Sequence, residues 1–181
     1  MGGDKLLLEV GGVPLVERVY GALSAWCSEV ILAGGGSALG EGVHRTPDVR
    51  AGGQGPLAGM EAGLTAARHG LVFVAAGDLP FLPGELVGFL LGRLEELGSR
   101  AVVPRYGGRT HPLCAAYDHG ILPPLRSALD DGVRSVREFL ARLEAVEYVE
   151  GELRRFGDPT LFLMNVNSPG DLERARRGAR S

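Results

Sequence analysis

Short apolar segments that read as strands alternate with helical segments through residues 6–104, and this alternation constrains the fold more than any other feature. The clearest strand is residues 71–76, which is apolar without alternation, as in a parallel strand covered on both faces. Helical spacing of apolar residues follows Pro14, Pro56 and Pro83, and proline suits the first turn of a helix. The pattern predicts an α/β fold, namely a three-layer α/β/α sandwich with a mostly parallel sheet.

Length and charge restrict the class of protein. The chain has 181 residues, which suits one domain with a sizeable core. Its formal net charge of -3 argues against nucleic acid as a partner. No apolar run reaches the length of a membrane span, and the first residues do not resemble a signal peptide. The two cysteines have no metal-like spacing and are interpreted as free thiols, so we expect a cytoplasmic protein.

Asp78 is the first candidate for chemistry because it directly follows the buried strand. Ligands of open α/β sheets bind at the carboxyl ends of the strands. A carboxylate there suits Mg²⁺, which keeps several waters and shares phosphate oxygens with the protein. Pro80 and Pro83 stiffen the turn. Alternatively, Asp78 only accepts hydrogen bonds from backbone N–H groups of the turn.

Two further segments could hold an anionic ligand. Residues 55–59, Gly-Pro-Leu-Ala-Gly, open a helix whose free N–H groups attract anions, and Asp48 stands seven residues earlier. Residues 1–5, Met-Gly-Gly-Asp-Lys, could cradle phosphates, with Lys5 as a point charge on them. A tight loop-to-helix turn and a disordered terminus are the structural alternatives for these two segments.

Polar residues in the second half of the chain add weaker signals. Asn165 and Asn167 precede the last helix and can donate to or accept from a ligand, although asparagine is also common in turns. Arg105, Arg109 and His111 form a basic cluster that could hold a phosphate or could simply lie in a solvated loop.

Together these segments resemble the molybdenum cofactor guanylyltransferase family. Residues 1–5 are similar to the end of the family's opening motif, Leu-Ala-Gly-Gly-x-Ser-x-Arg-Met-Gly-x-Asp-Lys. The family also has an aspartate at the spacing of Asp48 before Gly-Pro-Leu-Ala-Gly, which matches residues 55–59. Residues 77–81 resemble its Cys-Asp-x-Pro-Phe segment, and residues 165–172 resemble its closing Asn-Val-Asn-Thr-Pro-Glu-Asp-Leu. The order of the motifs is the family's, and they span essentially the whole chain.

The chain departs from the family pattern in two places. The family's first strand and its Leu-Ala-Gly-Gly-x-Ser-x-Arg segment have no counterpart, so we expect the sequence to start partway through its phosphate-binding loop. A gap or an exposed strand edge should then appear where that strand would lie. Residues 33–36 also stand where family members often carry an asparagine, which puts the base contacts of that asparagine in doubt.

The resemblance implies a single Rossmann-like nucleotidyltransferase domain over residues 1–181. Its reaction would be transfer of GMP from GTP to molybdopterin, with release of pyrophosphate and with Mg²⁺ as cofactor. By matching position, Lys5 would bind the triphosphate and Asp78 the Mg²⁺, both as catalytic residues, while Asp48 would bind the nucleoside. The other binding positions would be backbone around the nucleotide and side chains towards the pterin: Gly2, Gly3, Gly55 and Pro56, then Asn165, Asn167 and Arg109.

The resemblance also bears on partners, and two alternatives remain open. It implies molybdoenzymes or cofactor-delivery proteins as candidate partners of a monomer or weak homo-oligomer, with no nucleic acid or membrane. One alternative is a related nucleotidyltransferase that uses CTP or another phosphorylated acceptor. The other is a non-catalytic nucleotide-binding module, because Lys5 near a free terminus would lose the preorganisation that electrostatic catalysis needs.

Overall fold

The structure is a computed structural model, and it describes residues 5–34, 43–50 and 55–179. The strands are β1 Glu9–Val10, β2 Val13–Pro14, β3 Ile31–Ala33, β4 His44–Thr46, β5 Leu71–Ala75, β6 Ala101–Tyr106, β7 Arg109–Thr110, β8 Cys114–Asp118 and β9 Val146–Val149. The α-helices are α1 Leu15–Ser24, α2 Pro56–Ala66, α3 Gly84–Leu97, α4 Leu122–Asp130, α5 Val136–Arg142, α6 Pro159–Phe162 and α7 Pro169–Gly178. Short 3-10 helices span Lys5–Leu7, His119–Ile121 and Gly151–Phe156. The chain is therefore an α/β protein.

The larger sheet is mixed, which corrects the expectation of mostly parallel pairing. Its order is β5-β8-β6-β7, with β9 pairing β6. Strand β8 is antiparallel to both β5 and β6, whereas β9 is parallel to β6. The reason is the short connection from β6 to β8, residues 107–113, because a parallel return needs a crossover of a dozen or more residues. Strands β5, β6 and β9 still run in one direction, so their carboxyl ends lie at the same end of the sheet.

Apolar clusters cover both faces of this sheet, because alternate residues of a strand point to opposite faces. Ala101 and Val103 of β6 belong to a cluster with residues of α2, α4 and α5. Val102, between them, belongs to a second cluster with residues of α1 and α3. Cys114 lies in that second cluster, where burial raises the pKa of its thiol to about 12. Among the described residues, every helix is too short or too polar to span a lipid bilayer.

Strand β5 is confirmed in place, but among the described residues it is an antiparallel edge strand rather than the parallel strand that its sequence predicts. Within the described ranges it pairs on one side, with β8. On its other side lies a cavity of about 640 Å³, which separates β5 from the parallel pair β3–β4. Consecutive residues of β3 and of β5 line this cavity, so the edges of both strands face it.

Candidate active site

Asp78 lies just beyond the carboxyl end of β5 and is buried, with 6% of its surface exposed. Its Oδ2 accepts a hydrogen bond from Nζ of Lys5 at 2.6 Å, and its Oδ1 accepts one from Nδ2 of Asn165 at 2.5 Å. Its backbone carbonyl accepts a hydrogen bond from the N–H of Val166 at 3.0 Å. These contacts hold the carboxylate in one orientation from both sides.

The same lysine joins a second asparagine to the cluster. Nζ of Lys5 donates to Oδ1 of Asn167 at 2.8 Å, and the lysine side chain remains 36% exposed. The structure thus brings together Lys5, Asp78, Asn165 and Asn167, which the sequence singled out separately. We call these four residues the Asp78 cluster.

Local structure on each side explains why the cluster forms. Leu6, next to Lys5, lies directly over Gly77, where a Cβ atom would come within 3.1 Å of the leucine. Gly77 therefore permits the close approach that places Lys5 beside Asp78.

On the opposite side, a capping box holds Asn167 at the start of α7. Ser168 accepts a hydrogen bond from the N–H of Asp171, and Asp171 accepts bonds from the backbone N–H groups of Asn167 and Ser168. Hydrogen bonds from Ser168 and Arg174 lower the pKa of Asp171 to about 2, so the acceptor of the box stays ionised. The helix start that the sequence predicted at Ser168 is confirmed.

Asp48 and Gly55 occupy a different part of the site. Asp48 is exposed, and its Oδ1 lies 3.7 Å from the point where a Cβ would stand on Gly34, at the end of β3. Gly55 precedes α2 with φ of +78°, a conformation that favours glycine, and Pro56 is the first residue of the helix. Among the described residues, no hydrogen bond connects Asp48 or Gly55 directly to the Asp78 cluster. Gly2 and Gly3 lie outside the described residues.

A basic cluster lies at the same end of the sheet as Asp78. The N–H of Ala76 donates to the carbonyl of Leu113 at 2.7 Å. Residues 109–113 and Asp78 therefore both lie just beyond the same end of the β5–β8 ladder. Arg137 of α5 donates to the carbonyl of Thr110 at 3.4 Å, which brings it to the segment of Arg109 and His111.

The electrostatics of this cluster favour an anion. Burial lowers the pKa of His111, and the charges of Arg137 and Arg109 lower it further. Neither arginine forms an ion pair with a carboxylate within the part of the chain that the structure describes. Arg105 instead lies over the ring of Tyr148, 4.1 Å from its centroid. Sequence reasoning missed Arg137, because its position beside Arg109 depends on packing between α5 and β7.

Sequence reasoning also missed a buried carboxylate on α2. Glu61 is 2% exposed and forms an ion pair with Arg50, in which Nε lies 2.7 Å from Oε2. The available signal was a glutamate directly beside Met60 on the apolar face of the helix.

The donor set of the Asp78 cluster fits a metal that is shared with a substrate. No group of three or more histidine, cysteine or carboxylate side chains suited to a metal occurs among the described residues. Mg²⁺, however, is often bound by one or two carboxylates together with substrate phosphates. Each carboxylate oxygen has two lone pairs. Asp78 can therefore keep its bonds to Lys5 and Asn165 and still offer an oxygen to a cation.

A match to a family model and the names of similar proteins indicate the same family. Residues 1–146 match the family model described as MobA-like NTP transferase domain. A protein of Pelotomaculum thermopropionicum, named probable molybdenum cofactor guanylyltransferase, is 38% identical over 179 residues, which cover 97% of this chain and 85% of that protein. The molybdenum cofactor guanylyltransferase of Pseudomonas putida is 33% identical over 96% of this chain and 89% of its own length.

Solved structures agree with the fold. Molybdopterin-guanine dinucleotide biosynthesis protein A from Archaeoglobus fulgidus superposes with a TM-score of 0.81 at 27% identity, covering 99% of this chain and 92% of that one. The 2-C-methyl-D-erythritol 4-phosphate cytidylyltransferase of Thermus thermophilus gives a TM-score of 0.75 at 24% identity, covering 98% and 94% of the two chains. The second likeness concerns the fold alone.

Proposed function

Since the chain belongs to the MobA-like NTP transferase family, and within it to the molybdenum cofactor guanylyltransferases, we propose that it transfers GMP from GTP to molybdopterin. The observation that carries this proposal is the Asp78 cluster, in which Lys5, Asp78, Asn165 and Asn167 meet at the carboxyl end of β5. Ligands of open α/β sheets bind at this end of the strands.

In the proposed reaction, a phosphate oxygen of molybdopterin attacks the α-phosphorus of GTP. The new P–O bond forms as the bond to the β-phosphate bridging oxygen breaks, and that electron pair leaves with pyrophosphate. No covalent protein intermediate is required, so the protein contributes positioning and neutralisation of charge. The proposed roles of the site residues follow from that requirement.

On the nucleotide side, we assign Asp78 as the protein ligand of Mg²⁺ and Lys5 as the cation that binds the triphosphate. Mg²⁺ would neutralise negative charge on the phosphate oxygens when bound. The ammonium group of Lys5 is 2.6 Å from Asp78, so lysine and metal would contact the same phosphates. Asp48 would bind the nucleoside, and backbone at Gly55 and Pro56, together with Gly2 and Gly3, would surround the nucleotide.

On the acceptor side, we assign Asn165, Asn167 and Arg109. The asparagines lie between Asp78 and the capped start of α7, and their amides can both donate and accept hydrogen bonds. Arg109 and its neighbour Arg137 carry positive charge without a carboxylate partner among the described residues, which suits the phosphate of the acceptor. Molybdoenzymes or cofactor-delivery proteins would receive the product.

For the whole molecule, we infer the three-layer arrangement and a cytoplasmic location. Helices on both faces of the larger sheet support the first, and synthesis of a cofactor from GTP is consistent with the second. A monomer or weak homo-oligomer remains our expectation.

Titration calorimetry with GTP, CTP and ATP, combined with an assay of pyrophosphate release, tests the function. We expect GTP to bind most tightly in the presence of Mg²⁺ and to release pyrophosphate only when molybdopterin is added. Tighter binding of CTP would favour the cytidylyltransferase alternative. Binding of GTP without any pyrophosphate release would favour the non-catalytic nucleotide-binding module.

A further inference from the structure

A partly buried ion pair connects the segment that carries Asp48 to helix α2. Nε of Arg50 donates to Oε2 of Glu61 at 2.7 Å, and its Nη2 donates to Oε1 of the same carboxylate at 3.3 Å. The contact is therefore bidentate, an arrangement that fixes orientation as well as distance. Glu61 is 2% exposed and Arg50 is 23% exposed at the side chain, so the pair is largely shielded from water.

The arginine also contacts α4. Its Nη1 lies 2.7 Å from Oδ1 of Asp130, and its Nη2 donates to the carbonyl of Arg126 at 3.5 Å. Nε of Arg126 itself lies 3.4 Å from Oε1 of Glu61. Arg50 is thus held by two helices, and its guanidinium cannot shift without breaking several contacts.

The two residues belong to elements on the nucleotide side of the site. Arg50 is two residues after Asp48, and Glu61 lies on the helix that Gly55 and Pro56 open. On its other side, the Asp48 segment is held by β4, where the N–H of Gly34 donates to the carbonyl of Thr46 at 3.1 Å. Asp48, which is exposed, therefore stands between two anchors, the β3–β4 pair and the Arg50–Glu61 pair.

We propose that Arg50 and Glu61 are positioning residues that hold Asp48 at a fixed distance from the start of α2, and that they thereby set the affinity for the nucleoside part of the substrate. This inference rests on the proposed function, in which Asp48 binds the nucleoside. Among the described residues, the pair forms no hydrogen bond to the Asp78 cluster, where the reacting phosphates would bind. Its loss should weaken nucleotide binding without slowing the transfer step once the nucleotide is bound.

The test compares Arg50→Gln, Arg50→Lys and Glu61→Gln with the wild type in the full chain. We expect the Kd and KM for GTP to rise about tenfold in Arg50→Gln and Glu61→Gln, because displacement of Asp48 would weaken a charge-assisted hydrogen bond to the nucleoside. The kcat and the KM for molybdopterin should change less than about twofold. Arg50→Lys keeps the charge but loses the bidentate contact, so it should give an intermediate Kd.

Arg142→Gln is the matched control, because Arg142, which lies on α5, also contacts two carboxylates, Asp131 and Glu138. It should leave the Kd for GTP unchanged. Thermal melting of every variant distinguishes unfolding from displacement of Asp48 in a folded protein. If the glutamine variants do not fold, the Kd of Arg50→Lys provides the test.

Three outcomes decide the matter. Folded Arg50 and Glu61 variants with a weaker Kd, and an Arg50→Gln/Glu61→Gln double variant no weaker than either single one, would support positioning by the pair. A lower melting temperature with an unchanged Kd would overturn the inference, since the pair would then be structural alone. Absence of GTP binding by the wild type would overturn the proposed function itself, and this inference with it.

Discussion

The side-chain nitrogen of Lys5 lies 2.6 Å from Oδ2 of Asp78, although 73 positions separate the two residues in the chain. The carboxylate is nearly enclosed, with 8% of the side chain exposed, whereas the lysine side chain keeps 36% of its surface in contact with solvent. Lys5 can therefore turn towards a ligand while Asp78 stays in place.

Replacement of Asp78 tests the central role in the proposed site. We expect Asp78→Asn to lower kcat by about 10²–10³-fold, a loss typical of removing one electrostatic contact to the reacting groups. The substitution removes the negative charge that Lys5 and a metal would share and changes the volume very little. Steady-state pyrophosphate release at saturating Mg²⁺ measures the effect.

Asp131→Asn is the control for that variant, because Asp131 is exposed and pairs with Arg142 at 3.2 Å. Its activity should stay near that of the wild type, as expected for a surface ion pair. If Asp78→Asn also stayed within a few-fold of the wild type, the metal-ligand role would be wrong.

Arg109 and Arg137 should matter for the acceptor rather than for GTP. We expect Arg109→Gln or Arg137→Gln to raise the KM for molybdopterin roughly tenfold, because a hydrogen bond to a charged group contributes about 1.5–3 kcal/mol. The KM for GTP should hardly change. Arg155→Gln, which alters an arginine beside Phe89, is the control. An equal rise in both KM values would contradict the assignment to the acceptor side.

His111 should make the protein less stable on the acid side. Burial, and then the charges of Arg137 and Arg109, lower the pKa of His111 below its usual value of 6.5. As the pH falls below about 6.5, the unfolded chain takes up a proton that the folded chain does not, so the free energy of unfolding decreases. Above that pH both states are neutral at this residue, and the loss disappears.

Urea unfolding at pH 8 and at pH 5.5 checks this pH dependence. The wild type should lose more stability between the two values than His111→Gln, because the variant lacks the titrating group. His44, His69 and His119 are present in both proteins, so their contributions cancel in the comparison. Equal losses in the two proteins would show that His111 does not carry the effect.

The cavity between β3 and β5 should accept one more strand. Its volume is about 640 Å³, and the edges of both strands face it. A chain extended at its N-terminus by a strand and Leu-Ala-Gly-Gly-x-Ser-x-Arg should fill apolar space and pair those edges, so its melting temperature should rise. A glycine–serine extension of equal length is the control. Equal melting of all three proteins would contradict the prediction that the cavity accepts a strand.

The antiparallel direction of β8 could be predicted from the sequence. Residues 107–113 are too few for a crossover, so the antiparallel return from β6 follows from the length of the connection alone. The sequence predicted a gap, but it could not show that β5 borders it, because a fully apolar strand gives the same pattern whether a neighbouring strand or an apolar cavity lies beside it. The hydrophobic pattern of a strand indicates which side chains are buried, but it does not show whether each backbone edge is hydrogen-bonded to another strand.

The sequence by itself determined the family, the strand before Asp78 and the capped start of α7, because the strand, the cap and each separate family motif consist of residues close together in the chain. Only the tertiary structure decided which side chains meet. Lys5, Asp78 and Asn165 come from three distant segments of the chain. Arg50 contacts Glu61 because the segment that carries Arg50 packs against α2. Such contacts depend on how helices and strands pack, and local spacing carries no information about that arrangement.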